Sequence, residues 1–166
     1  MPEPTETAAT LPLRAGIEAR DLAAVVEAFA PGAVVHSPIT GALTFAGHEQ
    51  IGAVFAVILD VFKDLRYTDE LRTGSSAVLV ASAQVDGTDI ELVDHMRLDE
   101  QGRISELTVF FRPLPAIAVS ARAIGQGLGV RKSRSRARLI SVLVGPLIPL
   151  TRVGDRIGAR LIGPTL

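Results

Sequence analysis

One carboxyl in this chain sits where a carboxyl is hard to accommodate. Asp94 lies in Thr88–Leu98, a stretch that alternates as a half-buried strand does. Side chains two apart share a face of a strand. Ile90, Leu92, Asp94, Met96 and Leu98 therefore lie together, with Glu91, Val93, His95 and Arg97 opposite. Asp94 is the one charge on the apolar face. An ionised carboxylate there must be paired; otherwise its pKa rises and it keeps its proton. A protonated carboxyl in an apolar site can donate a hydrogen bond or act as a general acid. The competing reading is a structural aspartate that bonds a neighbouring backbone or side-chain group.

The other candidates for chemistry are histidines. His36 precedes Ser37 and Pro38 in a short strand, Ala33 to Ser37. Alternation puts His36 and Ser37 on opposite faces, and only a bulge would bring His36 round. His48 follows Gly47 at a helix start, where a solvated side chain is expected. His95 is expected as a sheet or dimer contact. Three histidines without ligand spacing make a poor metal site, and the absence of cysteine excludes thiolate ligands and disulfides. No metal or cofactor is expected, and no phosphate-binding loop, dinucleotide fingerprint or Ser-His-Asp order is visible.

The elements that must position these residues are legible in the pattern. Leu13 to Ala19 reads as a short helix. Asp21 reads as the N-cap of a second, with Leu22, Val25, Val26 and Phe29 on one face. A loop follows Pro38. From Gly47, the residues Ile51, Val54, Phe55, Ile58, Leu59 and Phe62 recur at helical spacing. Strands are predicted over Leu65–Arg72, Ala77–Val85, the Asp94 segment and Arg103–Arg112, with Asp86-Gly87 as a hairpin turn. This order is an α+β pattern. Three alanines on one face of the second strand, Ala77, Ala81 and Ala83, leave room for a ligand or for a closely packed helix.

Charge divides the 166 residues in two. From residue 130 onward the net charge is +7, and before it −8. The expected organisation is a flexible N-terminus over residues 1–12, a domain over 13–129 and a basic, apolar helical extension over 130–166. Gly125, Gly127 and Gly129 read as a hinge between domain and extension. Arg152, Arg156 and Arg160 stand at i, i+4, i+8 beside Val153, Ile157 and Leu161, with a break expected near Gly145-Pro146. A basic ridge beside an apolar one suits an anionic membrane surface. It equally suits packing on the acidic domain, which the opposite charges favour. The extension has no aromatic residue for stacking bases, so no specific nucleic-acid partner is expected. No apolar run reaches the roughly 20 residues that span a bilayer. The N-terminus lacks the pattern of a secretory signal, and the expected location is cytoplasmic, peripheral to a membrane if the extension docks there.

Several stretches resemble the nuclear transport factor 2-like superfamily, which includes SnoaL-like polyketide cyclases and ketosteroid isomerases. They are Arg20-Asp21-Leu22 through Phe29-Ala30-Pro31, Val34-Val35-His36-Ser37-Pro38, Ala46-Gly47-His48-Glu49-Gln50-Ile51 and Val93 through Ile104. The resemblance covers about residues 13 to 112. It implies a cone-shaped, strongly bent sheet, mostly antiparallel, packed on N-terminal helices, with a pocket at the open end. Asp94 falls on the isomerases' oxyanion-hole aspartic acid. Their general base falls at Ser37, and their helix-one tyrosine near Leu13. The limonene epoxide hydrolases' last-strand aspartate falls near Val109. SnoaL-type cyclases use a pocket acid, a role open to Asp94.

These readings converge on a protein that binds a small apolar molecule in an enclosed pocket. Asp94 and His36 are the expected acid and base for isomerisation or cyclisation, and Ser37, Phe55, Leu59, Leu79, Leu92 and Met96 the expected lining. The alternative is a non-catalytic binding or membrane-associated accessory protein. The resemblance also implies a homodimer through the outer sheet face, with Val93, Val109 and Phe111 supplying apolar area.

Overall fold

The computed structural model describes residues 11–162. Two short helices, α1 (Pro12–Glu18) and α2 (Leu22–Glu27), precede β1 (Phe29–His36) and β2 (Thr44–Ala46). The long helix α3 (Gly47–Val61) follows. A meander of β3 (Lys63–Thr73), β4 (Ser76–Val85), β5 (Thr88–Leu98) and β6 (Ile104–Arg112) comes next. Three helices end the chain: α4 (Leu114–Lys132), α5 (Arg134–Val144) and α6 (Leu147–Ile162).

The six strands form one curled sheet in the order β2-β1-β6-β5-β4-β3. All neighbours are antiparallel except β1 and β6. The α+β class and the helical extension are as the sequence predicts. Local chemistry explains the joints. Asp21 caps α2, accepting from Ala23 N at 2.9 Å and Ala24 N at 3.1 Å. Asp86 and Gly87 both take positive φ, which a tight hairpin turn requires. The one missed strand is β2, three residues inside the predicted loop.

The apolar stripe of α3 and the inner faces of the strands form the core. Ile51, Leu79, Met96 and Leu107 are wholly buried there. The inner face of β4 is small because α4 crosses β4, β5 and β6 with small side chains of its own, Ala116, Ser120 and Ala123. Of the two readings of the β4 alanines, close helix approach is the one that accounts for this crossing.

Four expectations need correction. Residues 11 and 12 belong to the folded body. Leu11 is buried, and its N–H donates to Glu70 Oε1 at 2.9 Å; residues 1–10 lie outside the described residues. The glycine triad is not a hinge either, since α4 runs unbroken through it and through the expected boundary at residue 129. A Cβ on Gly127 would lie 2.5 Å from Val57 Cγ1 of α3. One on Gly129 would lie 3.0 Å from Ala137 Cα of α5. The glycines let α4 pack closely on both sides.

The third correction concerns charge. α5 and α6 pack on α4 through Ala137, Ile140 and Ile148. Among the described residues no arginine from Arg131 onward forms an ion pair with a carboxylate. Contact between tail and domain is mainly apolar, with hydrogen bonds from Gln126 Nε2 to Ser141 Oγ at 2.5 Å and from Arg152 to Thr88 Oγ1 at 2.9 Å. The break at Gly145-Pro146 is where it was expected. The expectation about length fails, because Ala137–Gly158 is a helical stretch long and apolar enough, by length and composition, to cross a membrane.

Gly127 and Gly154 separate two effects of one substitution. Alanine for glycine inside a helix gains about 1 kcal/mol from backbone propensity. Gly154 faces open space, so Gly154→Ala should raise stability by up to that amount. At Gly127 the added methyl meets Val57, whose β-branched side chain is stiff, and overpacking costs about 1–3 kcal/mol. Gly127→Ala should therefore lower the melting temperature and Gly154→Ala raise it, as measured by calorimetry.

Candidate active site

Asp94 sits at the middle of β5, opposite Leu79 on β4 and Val109 on β6. Alternation turns it to the inner face, as the sequence predicts, and it is 6% exposed. Next to it along the sheet runs the row Tyr67, Ala81, Leu92 and Phe111. Asp94 and Tyr67 thereby border one small chamber of about 40 Å³, closed by Ile17 of α1 and by Phe55, Ile58 and Phe62 from α3 and its end.

Neither polar group of the chamber is paired. The Tyr67 hydroxyl is buried with no hydrogen-bond partner, and no hydrogen bond to the Asp94 carboxyl is found among the described residues. Burial alone raises the Asp94 pKa to about 7. Tyr67 is pushed well above the usual phenol range, first by burial and then by the nearby Asp94 charge; Arg14, over its ring at 5.8 Å, opposes this only in part. Two O–H groups thus face an apolar space near neutral pH with nothing from the protein to bond.

The chamber adjoins a larger cavity of about 140 Å³. Phe55, Ile58, Val109 and Phe111 border both. Val35, Ser37 and Phe45 form one side of the larger space and Ala121, Ile124 and Leu128 of α4 the other. Its polar side chains are hydroxyls, Ser37 and Thr40. Beyond it, Leu43, Phe45, Gly125 and Leu128 also border an apolar groove of about 540 Å³ that reaches Arg131 and Ile140.

The expected site residues divide. Phe55 and Leu92 line the chamber beside Asp94, and Ser37 lines the larger cavity. Leu79 and Met96 are packed in the core, and Leu59 borders a separate surface cleft with Arg20 and Arg66. His36 does not reach the cavity. No bulge reverses its alternation, and its Nε2 meets Glu106 Oε1 at 3.0 Å, partly exposed on the outer face. His48 is partly buried and donates through Nε2 to Phe29 O at 2.9 Å, tying α3 to β1. His95 lies on the outer face, opposite Thr108. Among the described residues no three histidine or carboxylate side chains converge as metal ligands.

Tyr67 is the functional candidate that the sequence reading passed over. It is the chain's one tyrosine, in a strand of charged residues. The bulge between Tyr67 and Asp69 obscures the alternation that would have marked it.

Comparison with known proteins bears on the fold. No curated protein sequence matches the chain. Among solved structures, a steroid delta-isomerase from Pseudomonas aeruginosa is similar at 30% identity and a TM-score of 0.62, over 74% of this chain and 88% of that one. A putative polyketide cyclase from Sinorhizobium meliloti is similar in fold at 21% identity and 0.50, over 58% and 88%. So is a ketosteroid isomerase-like protein from Catenulispora acidiphila in complex with trimethylamine, at 16% and 0.53, over 64% and 86%. The SnoaL-like domain family matches residues 13–107, more than half of the sequence, and the chain belongs to that family.

Proposed function

We propose that this protein binds a small, largely apolar molecule with one oxygen that can accept a hydrogen bond, and that Asp94 and Tyr67 hold that oxygen. The observation that carries the reading is the pair of unpartnered O–H groups in one apolar chamber. Buried polar groups without partners are rare in native proteins, and a ligand acceptor is the natural complement. Size bears on the class. The cavity next to the chamber, about 140 Å³, takes about one six-membered ring.

The chemistry open to the site is acid-base chemistry at one carboxyl. A pKa of about 7 lets Asp94 take a proton and return it near neutral pH. Tyr67 O–H would stabilise the oxyanion formed in an enolisation, isomerisation or ring closure. His36 has no part in this, and Ser37 is not a base. The hydroxyl at position 37 favours a second reading, binding without turnover, because the larger cavity offers no second titratable group.

A second copy of the chain is the partner we place on the outer sheet face. Val80, Val93 and Phe110 lie in one cross-strand row there, and Phe110 is 56% exposed. Val109 and Phe111, first expected on that face, turn inward to the cavity. Charges of both signs flank the row, with Glu91–Arg112 at 3.0 Å and Arg97–Glu106 at 3.5 Å, so a two-fold pairing is self-complementary. Sedimentation at micromolar concentration should show a dimer, and Phe110→Glu should give a folded monomer.

Ligand binding tests the site. A small cyclic ketone should bind at least about tenfold more tightly than the matching hydrocarbon, since only the ketone satisfies the two donors. Tyr67→Phe should remove much of that preference. The preference should hold below pH 7 and fall as pH rises through 7, where Asp94 ionises and can no longer donate. Equal affinity for ketone and hydrocarbon at pH 6 would sink the proposal.

Stability should follow the same titration. The folded pKa is raised, so the native state holds a proton that the unfolded chain releases near pH 4. Stability is then greatest below about pH 4 as far as this group is concerned. It declines as pH rises from about 4 to 7, by an amount on the order of 4 kcal/mol. Asp94→Asn should flatten that decline and be the more stable protein at pH 8, as measured by urea denaturation.

A further inference from the structure

We propose that the exposed face of α5 and α6 docks on an anionic lipid bilayer, with the two helices lying in the plane of the membrane surface. The first observation is where the apolar side chains point. α5 is apolar on both sides: Ala137, Ile140 and Val144 turn toward α4, while Leu139, Val142 and Leu143 face outward, Val142 with 70% of its surface exposed. Among the described residues of α6 only Ile148 is buried. Leu147, Leu150, Val153, Ile157 and Leu161 are all exposed, Leu161 by 78%. An outward apolar surface of this kind marks an interaction site.

The second observation is spacing. On α6 the exposed apolar residues Leu147, Leu150, Val153, Ile157 and Leu161 recur at steps of three or four, and on α5 Leu139, Val142 and Leu143 cluster on one side. Each helix thus presents an outward apolar stripe. On a helical period, Arg134 and Arg138 of α5 and Arg156 and Arg160 of α6 fall along one side of these stripes, while Arg152 turns to Thr88 Oγ1 of β5. None of them pairs with a carboxylate among the described residues. Asp155 is the one acid of α5 and α6.

Charge selects the occupant. A second copy laid stripe to stripe would bring two arginine rows together, and like charges oppose that pairing. Anionic lipid headgroups complement the row, while the acyl boundary accepts the stripe. A spanning helix fits less well. Ala137–Gly158 is long enough by length and composition, yet it is broken at Gly145-Pro146, carries Arg152 and Arg156, and keeps Ile140 and Ile148 packed on the domain.

Vesicle sedimentation of the full chain tests the proposal. It should sediment with vesicles of phosphatidylcholine and phosphatidylglycerol and not with phosphatidylcholine alone. Raising the salt from about 0.1 M to about 0.5 M should weaken binding severalfold. Val142→Glu with Leu150→Glu, both at exposed sites, should reduce binding at least about tenfold, as should Arg156→Glu with Arg160→Glu. Neither pair should change the melting temperature or the ketone preference, which keeps this test separate from that of the cavity. Failure to sediment with either vesicle overturns the proposal. So do equal binding to both vesicles, self-association that the Val142 and Leu150 variants abolish while vesicles are ignored, and resistance to alkaline carbonate extraction, which would mean a spanning helix.

Discussion

The close approach of α4 to α3 is the constraint on which the rest of the molecule depends. Gly127 lies against Val57 with no room for a methyl group, and that contact sets the distance between the two helices. At this separation Ala121, Ile124 and Leu128 complete the wall of the cavity over Phe55 and Ile58. On its other side, Gly125 and Gly129 receive Ile140 and Ala137 of α5. One helix therefore both bounds the cavity and carries the tail.

The chemistry of Asp94 follows from enclosure. A carboxyl titrates near its usual value when water or a cation can reach it. Here α1, α3 and the aromatic rings of Phe55, Phe62 and Phe111 surround it, and no arginine or lysine borders its chamber. The proton is kept because the site offers nothing better for the charge. Tyr67 is in the same position, and the two groups reinforce each other: the more Asp94 ionises, the harder Tyr67 is to ionise. Such a pair suits a neutral or transiently anionic oxygen and is a poor host for a bound anion.

Family membership constrains this less than it first suggests. The fold is shared with proteins of several chemistries, and the chemistry resides in which inward positions carry acids and bases. In this chain one inward acid is kept, and a hydroxyl occupies the position where the resemblance would put a base. The cavity is also small, with α4 as one of its walls. Both features are local.

The sequence by itself determined the α+β class, the α2 cap at Asp21, the Asp86-Gly87 hairpin, the α3 stripe and the inward placement of Asp94. Each rests on short-range rules, namely period, capping and turn chemistry, which need no knowledge of distant contacts. Residue alternation also put His36 outward, opposite Ser37; treating it as a base required a bulge at His36, whereas the irregularity of β1 lies upstream, between Phe29 and Val34. What only the tertiary structure decided depends on contacts between distant segments. Tyr67 joins Asp94 because β3, β4 and β5 pair across a bulge. The glycines of α4 are packing surfaces because α3 and α5 flank them, where composition alone reads as a hinge. Among the described residues the tail's arginines form no ion pair with a carboxylate, and Arg152 bonds the Thr88 hydroxyl, although the charges of the two halves would suggest pairing. Net charge acts over long distances without geometry, whereas the tail is held by the close fit of glycine, alanine and isoleucine side chains, whose partners are set only when the helices meet.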